Sequence, residues 1–115
     1  MFAFLSIALF SAASATNVAD AGTARVAYSN CLVDFTNAQL EEKVGTGTFK
    51  KAAQTACPDE RNAMIAAMQK DEMEFGSSQS EATSYATEEA DGVLFAFTDG
   101  YAGYVSSSTR PVKED

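Results

Sequence analysis

The 115-residue chain carries sixteen acidic and eight basic residues, a formal charge of −8, and no basic cluster. That balance argues against binding a phosphate backbone or an anionic membrane surface. Histidine is absent, which excludes Ser-His and Cys-His nucleophiles, histidine acid–base chemistry and nearly all zinc or non-haem iron sites.

The first fifteen residues read as a secretory signal peptide. Residues 2 to 10 are apolar except for Ser6, and Ala13-Ser14-Ala15 places small residues where a signal peptidase inspects them,. Cleavage after Ala15 would start the mature chain at Thr16, although no Lys or Arg precedes the apolar run. The run is too short for a membrane span, which needs about twenty apolar residues, so the mature chain is expected to contain none. The compartment implied is periplasmic or extracellular. Residues 16–105 form one domain by length.

Asp20 is a helix cap, and Ala24, Tyr28, Cys31, Leu32 and Phe35 recur at helical spacing behind it,. Gly45-Thr46-Gly47 interrupts this first helix. Thr48 is the expected N-cap of a short second one, which buries Phe49, Ala52, Ala53 and Ala56,. Pro58 suits the first turn of a third helix, with Asp59 and Glu60 complementing its dipole. That helix extends to about Phe75, with Met64, Ile65, Met68 and Phe75 facing inward,. Gly76 stops it, and Ser78-x-x-Glu81 has the form of a capping box opening a fourth,.

The fourth stripe runs through Ala82, Tyr85, Ala86, Glu89, Val93 and Phe97. Beyond it, Asp99-Gly100 between apolar runs permits a β-hairpin over 93–105. Helical spacing of Val93, Phe97, Tyr101 and Tyr104 favours helix through to Tyr104. Residues 106–115, rich in serine and containing Arg110-Pro111, are expected to be disordered. The fold class is therefore all-α: three or four antiparallel helices with short loops.

Two cysteines in an exported chain allow one intramolecular pairing, Cys31 with Cys57. Closing a loop of that span contributes about 3 to 3.5 kcal/mol in the chain-entropy model. The spacing is not the C-x-x-C of redox enzymes, so the pair reads as a structural staple.

Motifs for catalysis or cofactor binding are weak. Glu88, Glu89, Asp91 and Asp99 lack the loop spacing of a calcium site and read as a solvated face. Met64, Met68 and Met73 suggest Cu(I), but core packing is the better account of them. No cofactor is implied. The aromatic group Phe95, Phe97, Tyr101 and Tyr104 is the most distinctive local feature, a candidate surface for a protein partner or a small apolar ligand. On a helix Phe95 points away from the Val93/Phe97 stripe and becomes its exposed anchor. Together these residues predict a small exported, non-enzymatic binding module. Carriage of a small apolar ligand between helices is the alternative, and metal binding a lesser one.

Overall fold

The computed structural model describes residues 20–115; the signal-peptide reading lies outside them. Among the described residues there are four helices and no strand: α1 (Ala21–Glu41), α2 (Thr46–Ala53), α3 (Pro58–Glu74) and α4 (Gln79–Ser107). Cross-helix contacts fix their directions. Arg61 pairs with Asp91 at 2.7 Å, and Gln69 Nε2 donates to Thr83 Oγ1 at 2.7 Å, so α3 runs antiparallel to α4. Arg25 lies 3.7 Å from Glu89, while the Tyr101 hydroxyl reaches the carbonyls of Gln39 and Val44, so α1 and α4 run parallel. The short α2 and the longer α3 follow one another down the same side of this pair.

Three of the four described helix starts obey the sequence. The Asp20 carboxylate accepts from the Thr23 amide at 2.8 Å and from its hydroxyl, which holds its pKa below the usual carboxylate value. Pro58 occupies the first turn of α3. Ser78 and Glu81 form the reciprocal capping box, each side chain accepting from the other's backbone N–H.

Helix ends are less faithful to it. Among the described residues three have positive φ: Lys43 at 55°, Gly76 at 108° and Ser108 at 57°. Each terminates a helix with a paired 6→1 and 5→2 closure; Val44 N–H to Gln39 O with Lys43 N–H to Leu40 O is the first. Lys43, not the Gly45-Thr46-Gly47 run, therefore turns the chain after α1. Gly45 has an ordinary extended conformation and serves as the N-cap of α2, in place of the expected Thr48.

One core joins Tyr28, Leu32 and Val33 of α1, Phe49 and Ala53 of α2, Cys57, Met64 and Ala67, and Ala90, Val93, Leu94, Phe97 and Tyr101 of α4. Cys31 and Cys57 are disulfide-bonded, with Cα atoms 6.2 Å apart, tying the middle of α1 to the entrance of α3. Phe49 stacks on Tyr101 with centroids 4.0 Å apart, and Phe35 lies 5.7 Å from Phe49.

The helical reading of residues 93–105 holds, and two further expectations change. Residues 93–105 are helical throughout, which removes the hairpin: Val93, Phe97 and Tyr101 are all buried at four-residue spacing, and that burial carries the helix through Asp99-Gly100. Phe75 is 86% exposed, because helical spacing identifies its face but α3 ends there without a neighbour to cover it. Finally, the segment expected to be disordered is bound. The helix continues to Ser107, and residues 109–115 turn back along α1, held by hydrogen bonds and ion pairs. Composition described the segment as unable to build a core, which is true; its partners are polar groups on α1.

Candidate functional site

The four aromatic residues singled out in α4 do not form one surface. Phe97 and Tyr101 are core residues. Phe95 and Tyr104 are nine residues apart, which at 3.6 residues per turn puts them on opposite sides of the helix. Phe95 is 62% exposed, as its helical position requires, and edges a shallow hollow of about 240 Å³ with Gln54, Asp91, Leu94 and Thr98. Tyr104 is half-buried at a larger groove.

That groove, about 410 Å³, lies where α1 and α4 end together. Leu40, Val44, Tyr104 and Val105 supply its apolar surface, and Tyr101, itself fully buried, closes it from below. Lys43 and Arg110 stand at the rim with Ser108 and Thr109.

Local structure explains each position. The positive φ of Lys43 swings its side chain out at the end of α1 and directs Val44 back onto the bundle. The Tyr101 hydroxyl donates to Val44 O at 2.6 Å, with Gln39 O at 3.3 Å, so α4 anchors the same turn. Burial pushes the Tyr101 phenol pKa up, so the protonated donor form is the one that folding favours. At the other wall, Ser108 in the left-handed conformation turns the chain after α4 and brings Thr109 and Arg110 to the groove. Arg110 is only loosely engaged, its guanidinium 3.9 Å from the Glu41 carboxylate. Lys43 makes no ion pair among the described residues. Gly100 and Gly103 contribute no close approach: a Cβ at Gly100 would meet the Tyr104 ring at an ordinary 3.5 Å, and at Gly103 nothing within 4 Å.

Sequence reasoning found Tyr101 and Tyr104 but missed Leu40, Lys43, Val44 and Arg110. Two lie just before the Gly45-Thr46-Gly47 run read as the breaker, and one in a segment read as disordered. Their convergence depends on left-handed turns at a Lys and a Ser, residue types that do not announce that conformation.

Other candidate chemistry disperses. Met64 is buried, Met68 half-buried and Met73 47% exposed, so the three methionines share no site. Asp91 engages Arg61 and Glu89 faces Arg25. The sulfurs of Cys31 and Cys57 lie within 4.8 Å of the Glu60 carboxylate. Both sulfurs are spent in the disulfide, so the trio offers no thiolate to a metal. No described helix is long and apolar enough to cross a membrane. Comparison with protein-family models, with curated proteins and with solved structures finds no significant match to this chain.

Proposed function

We propose that this protein is an exported, non-enzymatic binding module, periplasmic or extracellular, whose groove takes a small amphipathic molecule with an anionic end. The observation that carries this reading is the pairing of an apolar groove with Lys43 and Arg110 at its rim, in a chain whose net charge is −8. Two of only eight cations meet at one concave apolar site. Its volume of about 410 Å³ falls within the range of roughly 300 to 1,000 Å³ typical of small-ligand pockets,. The core beneath is closed, with Tyr28, Leu32, Phe49 and Tyr101 at or below 1% exposure. An open groove at the bundle end is thus a better seat than a cavity between helices. The disulfide and the want of a spanning helix among the described residues are compatible with export, and the lack of histidine favours binding over catalysis.

Calorimetric titration of the oxidised protein with decanoate, decanol and decyltrimethylammonium tests this. Decanoate is expected to bind saturably, decanol more weakly, and the cation not at all. Arg110→Ala or Lys43→Ala should each weaken decanoate by about tenfold, equivalent to about 1.4 kcal/mol. Equal affinity for all three ligands, or no saturable heat with decanoate, would overturn the reading.

A further inference from the structure

Asn30, Asp34, Asn37 and Glu41 fall at i, i+4, i+7 and i+11 on α1, which lines them up along a single face,. That face lies opposite the buried Tyr28 and Leu32. Every member of the stripe is engaged by residues 110–114, taken in reverse order. Arg110 lies 3.9 Å from Glu41, and the Asn37 amide donates to Pro111 O at 3.4 Å. Lys113 Nζ is 2.9 Å from Asp34. Asn30 grips the main chain of Glu114 on both sides, donating to its carbonyl at 2.9 Å and accepting from its N–H at 2.8 Å. Ser29 adds a hydroxyl donor to the Glu114 carboxylate at 3.3 Å. The lengths match: four residues of extended chain cover about 13 Å, and eleven residues of helix rise about 16 Å.

These contacts differ in kind from those that hold the fold together. Val112, the one large aliphatic residue of the segment, is 82% exposed, so the segment seats no apolar anchor. Its attachments are polar and, apart from the part-buried Asn37–Pro111 hydrogen bond, exposed to water, each worth little on its own,. The segment stays in place largely because covalent linkage gives it an effective concentration on the order of millimolar. What the stripe recognises is also general. Asn37 reads a carbonyl that any residue supplies, and Asn30 a carbonyl and an N–H that any residue but proline supplies,. Asp34 and Glu41, by contrast, read two cations three residues apart.

We propose that this stripe is a docking track for an extended basic segment of a partner protein, and that residues 109–115 occupy it in cis as a displaceable stand-in. The partner's segment carries Lys or Arg at positions i and i+3 and runs antiparallel to α1, and its other side chains are unconstrained save for proline opposite Asn30. The track and the groove share Arg110 and Thr109, but Asn30 and Asp34 lie outside the groove lining, so peptide binding reads the track apart from the groove's ligand.

A fluorescein-labelled peptide of residues 109–115 serves as the probe, titrated by anisotropy into the full chain and its variants at low salt. Lys113→Glu sets a carboxylate against Asp34 and loosens the internal segment, so this variant should bind the peptide at least tenfold more tightly than the wild-type chain. Adding Asn30→Ala, or using a peptide whose Arg and Lys are both replaced by Glu, should reduce that binding at least tenfold. Circular dichroism should show unchanged helicity in every variant. Binding by Lys113→Glu no tighter than wild type, or undiminished by Asn30→Ala, would overturn the proposal. A concentration-dependent doubling of mass without added peptide would also overturn it, by giving the track to a second copy of this chain.

Discussion

The 29 residues of α4, about 43 Å long, pass through two regions held by different physics. In the half from Val93 to Tyr101, large side chains pack against α1 and α2, an aromatic stack links Phe35, Phe49 and Tyr101, and the disulfide lies close by. In the half from Gln79 to Ala90, the buried positions are Ala82, Ala86 and Ala90, one residue type at four-residue spacing. Around that alanine seam the contacts are local or polar: the Ser78/Glu81 box, the Gln69–Thr83 hydrogen bond and the Lys70–Glu74 pair. The exposed Phe75, Met73 and Tyr85 lie in this region too. Alanines bring helices close but remove little apolar surface from water, so the Val93–Tyr101 half should carry most of the global stability.

The largest test of that difference is Phe49→Ala. Phe49 is fully buried between Phe35 and Tyr101. Its truncation should cost about 4 kcal/mol through lost transfer energy and an unfilled cavity. Urea unfolding followed by circular dichroism would read the loss, and a cost below about 1.5 kcal/mol would show that the stack is not the centre of the core. Replacing both cysteines, Cys31→Ser with Cys57→Ser, should cost about 3 kcal/mol because the unfolded chain regains the entropy of an open loop. The effect should appear as a lower urea midpoint with the helical spectrum retained. An unchanged midpoint would mean that helix packing alone sets the position of α3.

Much of the bundle is legible in the sequence because helix starts are chemically explicit. Asp20, Pro58 and Ser78-x-x-Glu81 each supply a group that a first turn lacks, and each lies where that need predicts,. The cysteine pairing was forced by number alone. Helix ends were harder, since two of three rest on left-handed residues that are not glycine. The inward placing of Phe75 failed for a different reason. Periodicity assigns a face, but whether anything covers that face depends on where the neighbouring helices end. The site suffered most. Tyr101 and Tyr104 were visible as aromatics, but the cations beside them come from a turn and from a segment whose composition reads as disorder. The stripe on α1 was present in the spacing of Asn30, Asp34, Asn37 and Glu41, yet a polar helix face normally means solvent.

A smaller effect separates the packing of Tyr101 from its hydrogen bond. Tyr101→Phe keeps the ring against Phe49 and leaves the carbonyl of Val44 without its donor, at a cost of about 1 to 2 kcal/mol. The phenol's raised pKa gives this contribution a sign with pH. A group whose pKa is raised by folding stabilises fully below the unfolded value, near 10, and that stability is lost as pH climbs through the folded value,. Wild-type protein should therefore lose part of its urea midpoint above about pH 10, and Tyr101→Phe should lose less. Parallel decline of the two proteins would assign the alkaline loss to other groups.

The smallest change addresses the alanine half. Ser78→Ala removes the acceptor for the Glu81 amide and half of the capping box, which typically costs about 1 kcal/mol. If the two halves of α4 are one cooperative unit, that loss lowers the global unfolding free energy and speeds amide exchange uniformly along the helix. If the Gln79–Ala90 half opens separately, as its thin apolar contacts imply, exchange should accelerate roughly fivefold there, the factor corresponding to about 1 kcal/mol. Residues 93–101 would keep their wild-type rates. Amide exchange resolved along α4 distinguishes the two outcomes. Acceleration confined to the first half would mean that a cap and an alanine seam hold the α3–α4 turn closed only locally, while the aromatic half keeps the groove and its anchored turn in place.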